Sequence, residues 1–351
     1  MKITTGNLGL VSYAFEASFR YLGFEMILPP LTNSLSQKLG EENLRSELCH
    51  PLKLLLGNFL TIKDKKPDIV ILYSGCDLCN LTPINDIFLE VFEKYSWNPK
   101  AYYMDITRTS YFLRDYYNNL KKITGASTLK IIKAIGLGFG KLFLFNYLDD
   151  VFCVIRPTIK DFNTGENIYL KLFQKIINAK NLSEYKKIKK NINKLLKTYP
   201  PDHNSLHFGL TGDPFSLREP YSHQFTDRKL GYMGVIVDKG NNKLIKKKKV
   251  SKLELKKFIT NNHGVFTHNA ITKINNYTNK AYDGIVFISP FNCTPNDSLR
   301  NQLSMIQEKT GTPMLSLIFD SHTSSTGLQS RLEAFIEMVY RRKNLKQEPN
   351  E

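Results

Sequence analysis

Apolar runs and amphipathic stretches alternate along the first third of the chain. The pattern predicts, in order, a helix and a short strand over 13–30, a helix over 52–62, a strand over 67–75, a helix over 84–95 and a strand over 99–106. The segment 67-PDIVILYSG-75 is continuously apolar between Pro67 and Gly75. Such a run is typical of a strand covered on both faces of a parallel sheet.

The middle of the chain has a different pattern. From about 110 to 200 it is amphipathic with helical spacing, as at Ile188, Ile192, Leu195 and Leu196. Beyond it the strand and helix rhythm returns. We predict strands over 206–214, 234–237, 282–291 and 313–320, and helices over 221–234, 296–310 and 327–342. The last helix carries one apolar stripe, at 328, 332, 335, 336 and 339, as expected of a helix packed on a sheet.

This order of elements predicts an α/β protein with two Rossmann-like, doubly wound lobes and a helical insertion. The expected domains are a first lobe over 1–110, a helical bridging region over 111–202, a second lobe over 203–343 and a polar tail over 344–351.

Composition is that of a globular protein, with 351 residues of which 42% are apolar. No apolar run reaches the roughly 18 residues of a membrane span. The N-terminal segment has no clear cleavage site of a secretory signal, so a cytoplasmic location is expected.

The net charge of +17 lies largely in two lysine tracts, 180–197 and 243–257. Clustered lysine attracts nucleic acid, membrane surfaces or an anionic small molecule such as a coenzyme A thioester. Arginine and interleaved aromatic residues are scarce in both tracts, which favours solvated helix faces over nucleic-acid readout.

Five cysteines in a chain without a secretory signal disfavour a disulfide framework. Two of them, Cys49 and Cys293, stand in C-x-P segments. Proline suits the first turn of a helix, so both cysteines are expected just before helix N-termini, where thiolate is stabilised. Cys76 and Cys79 directly follow the strand 67–75, and Cys293 follows the strand 282–291. Ligands of open α/β sheets collect at these strand ends.

Several chemistries are open to these cysteines. Iron–sulfur clusters and structural zinc both take thiolates, and 76-CDLC-79 has the spacing of a redox dithiol, although a thioredoxin-type helix does not follow it directly. Simple burial is the alternative for each cysteine, and we favour it for Cys153 in the apolar segment 151–155.

Other polar residues are weaker candidates. Asp320 and His322 follow a strand and Glu47 neighbours Cys49, so each has either a proton-transfer role or a role in holding a turn. The segment 136-GLGFG-140 lacks a preceding strand, so close packing or a helix break is expected rather than a phosphate loop.

Six segments along most of the chain together carry a family resemblance. They are 46-SELCHPLKLLLGN-58, 68-DIVILYSG-75 with the cysteines after it, 156-RPTIKDFNTGEN-167, 209-GLTGDPFSLREPYSHQ-224, 283-DGIVFISPFNCTP-295 and 319-FDSHTSSTGLQSRLEAF-335. In their order and spacing the chain resembles the iron–sulfur proteins of the 2-hydroxyacyl-CoA dehydratase and benzoyl-CoA reductase family, in the activase-associated branch of unassigned activity.

The resemblance implies Rossmann-like lobes with a cluster, [4Fe-4S] or double cubane, in the cleft between them. It implies Cys49, Cys293 and one or both of Cys76 and Cys79 as cluster ligands. It also implies low-potential electron transfer, or reductive or dehydratase chemistry on an acyl-CoA thioester. The expected partners are an ATP-dependent activase with its own cluster and a second subunit of the same or another kind. A non-catalytic metal scaffold and a lysine-rich nucleic-acid-binding protein are the alternatives.

Overall fold

The structure is a computed structural model that describes residues 1–75, 79–159, 161–202, 204–240, 242–245, 247 and 264–345. The chain forms two compact units. The first comprises Met1–Tyr147 and Phe173–Lys190, and the second comprises Leu148–Leu172 and Asn191–Glu351. The predicted helical region 111–202 is therefore divided between the two units.

The first unit contains a four-stranded parallel sheet in the order β2-β1-β3-β4. Its elements are β1 (Lys2–Thr4), α1 (Leu10–Tyr21), β2 (Glu25–Met26), α2 (Ser34–Asn43), α3 (His50–Leu60), β3 (Ile69–Ser74), α4 (Ile84–Lys94), β4 (Lys100–Asp105) and α5 (Thr109–Thr124). Three longer helices follow and have residues in both units: α6 (Thr128–Ile155), α7 (Phe162–Asn178) and α8 (Leu182–Thr198).

The second unit repeats the same strand order in a parallel sheet, β6-β5-β7-β8. Its elements are β5 (Leu206–Gly212), α9 (Thr226–Tyr232), β6 (Val235–Asp238), α10 (Val265–Asn279), β7 (Gly284–Pro290), α11 (Thr294–Arg300), α12 (Leu303–Thr310), β8 (Met314–Phe319) and α13 (Ser325–Leu345).

Each sheet is buried against helices, as the continuous apolar runs predict. In the first unit Phe15 and Phe19 of α1 pack with Tyr73 and Ile71 of β3. In the second, α13 buries the predicted stripe, with Leu328, Leu332, Phe335 and Val339 in the core and Ile336 packed against it. Among the described residues, no helix is both long enough and apolar enough to cross a membrane.

The α/β class and the parallel strands are confirmed, whereas three elements were not predicted: β1, α2 and α10. β1 has only three residues, too few to show a period, and α2 is largely polar. The helix predicted over 296–310 is two helices, α11 and α12, although no glycine or proline separates them.

The segment 136–140 is part of an uninterrupted helix, α6, so the predicted close packing is found and a helix break is not. A side chain at Gly138 would clash with the Ala14 carbonyl and the Ser18 hydroxyl of α1. The same Ser18 hydroxyl donates to the Ala134 carbonyl at 2.8 Å. Gly138 thus lets α1 and α6 approach closely.

Candidate functional site

In each sheet, the direction in which the chain adds strands reverses at the first strand. The chain moves outward from β1 to β2 and then returns to the other side of β1 with β3, and the second sheet does the same around β5. In open α/β sheets this reversal opens a crevice at the carboxyl ends of the two central strands. The loops after β1 and β3, and those after β5 and β7, are therefore expected to border these two crevices.

The loop after β3 carries Cys79 back against the end of its own strand. A Cβ placed on Gly75 would lie 3.4 Å from the Cβ of Cys79 and 3.0 Å from that of Leu81. The Gly75 amide also donates to the Thr82 hydroxyl at 2.8 Å, which closes the loop. Cys79 is half-buried at the strand end, where the sequence predicts it. Cys76 lies outside the described residues.

Cys49 is the N-cap residue of α3, with Pro51 in the first turn, so the C-x-P prediction is confirmed. Close packing of α2 against α3 fixes this helix start. Side chains at Gly40 and Gly57 would clash with the carbonyls of Lys53 and Ser36, so both positions require glycine. The half-buried Cys49 is thereby held at the positive end of a rigid helix pair.

Glu47 is exposed two residues before Cys49. Hydrogen bonds from its own backbone amide and from Ser46 lower the pKa of its carboxyl group. The side chain is therefore ionised at neutral pH, which makes it a poor general acid in this structure.

In the second unit, the end of β5 lies unusually close to β7. Gly212 has φ +133, and a Cβ there would clash with the Ile288 carbonyl. The amide of Asp213 donates to that carbonyl at 3.0 Å. The Asp213 carboxylate accepts from the Ser216 amide at 2.6 Å, and burial raises the pKa of this carboxyl.

Cys293 is the N-cap residue of α11, with Pro295 in the first turn, so the second C-x-P prediction is also confirmed. It is 8% exposed and lies three residues after β7. Asn292 before it has φ +57, which turns the chain sharply from strand to helix. The Thr267 hydroxyl donates to the Pro295 carbonyl at 2.6 Å and anchors the helix start.

Two buried polar groups lie in the second unit, one on α11 after Cys293 and one near the carboxyl end of β5, which pairs with β7. Asn296, one turn further along α11, and Thr211, at the end of β5, are both fully buried. Neither the Asn296 amide nitrogen nor the Thr211 hydroxyl has a hydrogen-bond partner among the described residues. Buried donors of this kind suit an acceptor-rich group such as the sulfides of a cluster.

A cluster also requires that its cysteine ligands lie close together. Among the described residues, no group of three or more His, Cys, Asp or Glu side chains is arranged to hold a metal ion. Cys49 and Cys79 belong to the first unit and Cys293 to the second. Cys49 and Cys293 lie at helix N-termini, which favour thiolate, and the meeting of these cysteines at one cluster stays a prediction.

The remaining cysteine has a structural role. Cys153 is 3% exposed on α6, and burial raises the pKa of its thiol to about 12. The preference for a buried apolar role is confirmed, since such a thiol is protonated and unreactive at neutral pH.

His322 is exposed in the turn after β8, an edge strand of its sheet. Asp320 holds this turn, because its carboxylate accepts from the His322 amide at 2.9 Å and from the Thr323 hydroxyl at 2.8 Å. The turn-holding interpretation therefore describes Asp320, whose carboxylate makes these bonds, and His322 takes part in the turn through its backbone amide.

A partly buried ion network in the second unit is not predicted from the sequence. We call it the ion network, and it consists of Asp149, Arg156, Glu166, Asp227, Arg228 and Lys239. The Lys239 ammonium lies 3.0 Å from carboxylate oxygens of both Asp149 and Asp227. Glu166 accepts from Arg228 and lies 3.6 Å from the Arg156 guanidinium.

Arg156 is the most enclosed cation of this network, with 2% of its side chain exposed. Its guanidinium lies 5.3–5.9 Å from the ring centres of Phe152, Tyr169 and Tyr232. A Cβ at Gly231 would lie 2.8 Å from the Arg156 Cβ, so glycine at this position leaves room for the aliphatic part of the Arg156 side chain. The segment 156–167 therefore contributes two members of the network, Arg156 and Glu166.

Asp227 is a buried member of the network, and it interacts electrostatically with His223, which is also buried. Burial raises the pKa of Asp227, but Lys239 and the neighbouring cations lower it by more, so this carboxyl stays ionised. His223 accepts from the Thr226 amide through Nδ1 at 3.1 Å, and burial lowers its pKa to about 4. The imidazole is therefore neutral at physiological pH.

The lysine tracts are described only in part. Lys186, Lys187 and Lys190 of the first tract are exposed on α8, consistent with solvated helix faces. Most of the second tract lies outside the described residues. Comparison with known proteins adds nothing to these observations: no protein-family model matches the chain, and no curated protein is significantly similar to it.

Proposed function

We propose that this chain is an iron–sulfur protein that transfers electrons at low potential or performs reductive or dehydratase chemistry, with an acyl-CoA thioester as the candidate substrate class. The observation that carries the proposal is the repeated placement of cysteine. Cys79 and Cys293 each follow the third strand of a sheet with the same order, beside the reversal point, and Cys49 and Cys293 each cap a helix.

The chemistry of these positions supports thiolate ligation. A helix N-terminus carries partial positive charge and amide N–H groups, which lower the cost of thiolate and of anionic sulfide. In this proposal Cys49, Cys79 and Cys293 hold the cluster, with Cys76 as a further ligand. When bound, the cluster supplies the electron that the reaction needs, and an ATP-dependent activase would deliver it.

The protein's own residues would tune that cluster. Asn296 and Thr211 have buried donors suited to sulfur, and donation to a cluster sulfur raises its reduction potential. The basic surface agrees with an anionic coenzyme A ester.

Anaerobic purification tests the proposal, with iron, acid-labile sulfide and zinc measured on the same sample and electron paramagnetic resonance recorded after reduction with dithionite. We expect iron and sulfide in equal amounts and a signal from a reduced cluster. Zinc in place of iron would support a structural metal scaffold, and the absence of any bound metal after anaerobic reconstitution would contradict both.

A further inference from the structure

Helix α6 exposes a regular apolar stripe. Its apolar residues surround the whole helix, as in a helix that is covered on every side. In the part that belongs to the first unit, Ile131, Ala134, Leu144 and Phe145 are buried. The opposite side, which we call the α6 stripe, consists of Leu129, Ile132, Gly136, Phe139 and Phe143. Its four large side chains are 38–74% exposed.

The spacing of the stripe is that of a coiled-coil seam. Its positions alternate in steps of three and four residues, the repeat that presents apolar knobs to a second helix. At the centre, a Cβ on Gly136 would meet no atom of the described residues within 4 Å. This gap in a row of large side chains can accept a large residue from a facing helix, whereas a lipid surface requires neither register nor gap.

Neighbouring helices border the stripe on both sides. On one side, Tyr116 of α5 contacts the Phe139 ring edge to face at 6.4 Å, and the Tyr117 hydroxyl lies 3.1 Å from that of Thr128. On the other, the Lys189 ammonium of α8 lies 4.9 Å from the centre of the Phe143 ring. The stripe therefore forms the floor of a groove between α5 and α8.

The rim of this groove is basic. Lys189 lies over the Phe143 ring and the Lys121 ammonium lies 5.9 Å from the centre of the Tyr117 ring, and Lys133, Lys186 and Lys190 are exposed on the same helices. The acidic residues of the bordering helices are engaged locally: Asp115 pairs with Arg114, and Glu184 accepts from the Lys180 amide and the Asn181 side chain. A second copy of this chain would bring a like-charged rim and a net charge of +17 against it.

From this geometry we propose that the α6 stripe is a docking site for an amphipathic helix of a partner protein, with apolar residues at coiled-coil positions and acidic residues beside them. The partner's apolar side chains pack on the stripe and one large side chain fills the gap at Gly136. Its carboxylates face the lysine rim. This proposal is independent of the iron–sulfur function.

The test uses two fluorescent helical peptides of about four heptads with leucine at the seam positions, one flanked by glutamate and the other by lysine. Binding to the full chain is measured by fluorescence anisotropy at near-physiological salt. We expect the glutamate peptide to bind at least about tenfold more tightly than the lysine peptide. Gly136→Gln and Ile132→Ser should each weaken that binding at least about tenfold, and Met338→Ser, an exposed apolar position on α13, should leave it unchanged.

Gly136→Gln keeps the test independent of folding, because a helix-favouring residue in open space should not lower the thermal unfolding temperature. Equal binding of both peptides, or binding that none of the stripe variants weakens, would overturn the proposal. So would stripe-dependent sedimentation with vesicles of phosphatidylcholine and phosphatidylserine, which indicates a membrane, or a dimer that Ile132→Ser dissociates, which indicates a second copy.

Discussion

The two units share one strand order but surround their cysteines differently. In the first unit, Cys79 lies between the end of β3 at Ser74 and the start of α4 at Ile84, and Cys49 comes from a separate helix pair. In the second, Cys293 follows β7 by three residues and itself caps the next helix. The strand order thus determines which strand ends are followed by cysteines. The connection after each strand determines whether that cysteine also lies at a helix N-terminus.

The loops across each reversal point sharpen this comparison. Thr5-Gly6-Asn7 and Thr211-Gly212-Asp213 both stand at the carboxyl end of the first strand of their sheets. Both glycines have positive φ, +66 at Gly6 and +133 at Gly212. Their neighbours differ: a Cβ on Gly6 meets the end of the Phe59 ring, and one on Gly212 meets the Ile288 backbone.

The largest expected effect comes from removing one cation of the ion network in the second unit. The first unit buries a smaller ionic group, in which the Lys141 ammonium lies 3.3 Å from the Glu16 carboxylate. Arg156→Met should lower the free energy of unfolding by about 3–5 kcal/mol, because three carboxylates of the network then share only two cations in a largely buried cluster. Arg341→Met removes an exposed pair with Glu337 in the same unit and should cost less than about 1 kcal/mol. Urea unfolding followed by circular dichroism measures both, and equal costs would contradict the role of the network.

The next largest effect on the free energy of unfolding is expected at Gly6 and Gly212, the two equivalent glycines. Gly212→Ala should cost more than about 3 kcal/mol, since backbone must move away from backbone at a disfavoured φ. Gly6→Ala should cost about 1–2 kcal/mol, because the Phe59 ring can shift. Trp97, the one tryptophan of the chain, is buried in the first unit, so its fluorescence reports that unit while circular dichroism reports both. A larger cost at Gly6 would show that the two loops are not packed as described.

A smaller effect is the pH dependence contributed by His223. The unfolded imidazole binds a proton below its ordinary pKa of 6.5, and the folded one only near 4, so this residue makes stability fall as pH is lowered through that interval. Between about pH 7.5 and pH 5 the loss should be about 2 kcal/mol.

His223→Asn removes this contribution while keeping an acceptor for the Thr226 amide. The urea midpoint of the variant should therefore fall less between the two pH values than that of the wild type. His207, whose pKa burial also lowers to about 4, acts in the same direction in both proteins. Asp150, whose pKa burial raises to about 7, acts in the opposite direction in both, so neither affects the difference. An identical pH dependence would show that His223 is not held neutral.

The smallest change in stability is expected at Gly136 of α6, and it should be opposite in sign to the change at Gly138 of the same helix. Gly136→Ala should stabilise the first unit by about 0.5–1 kcal/mol, since the new methyl group meets no atom of the described residues within 4 Å and favours the helix. Gly138→Ala should destabilise it, because α1 must move away. Trp97 fluorescence in urea measures both. A stabilising Gly138→Ala would contradict the close contact of α1 with α6.

Local sequence predicts the elements that carry the cysteines better than it predicts their neighbours. Pro51 and Pro295 alone indicate the helix starts at Cys49 and Cys293, and the apolar run 67–75 indicates β3. The ion network is different, because Arg228 and Glu166 are 62 residues apart and each is an ordinary charged residue in its own segment. Only the folded sheet brings them together, so no local pattern marks them. For the same reason, spacing cannot decide whether Cys49, Cys79 and Cys293 meet.

Iron content of cysteine variants tests the central claim most directly. Wild type, Cys49→Ser, Cys293→Ser and Cys153→Ser would be purified anaerobically in parallel, with iron and sulfide measured per chain. Cys153→Ser is the matched control, since that thiol is buried within α6 and assigned no ligand role. We predict that Cys49→Ser and Cys293→Ser lose most of their iron, while Cys153→Ser, if folded, keeps the wild-type amount. Full iron in Cys49→Ser and Cys293→Ser would contradict the proposed cluster.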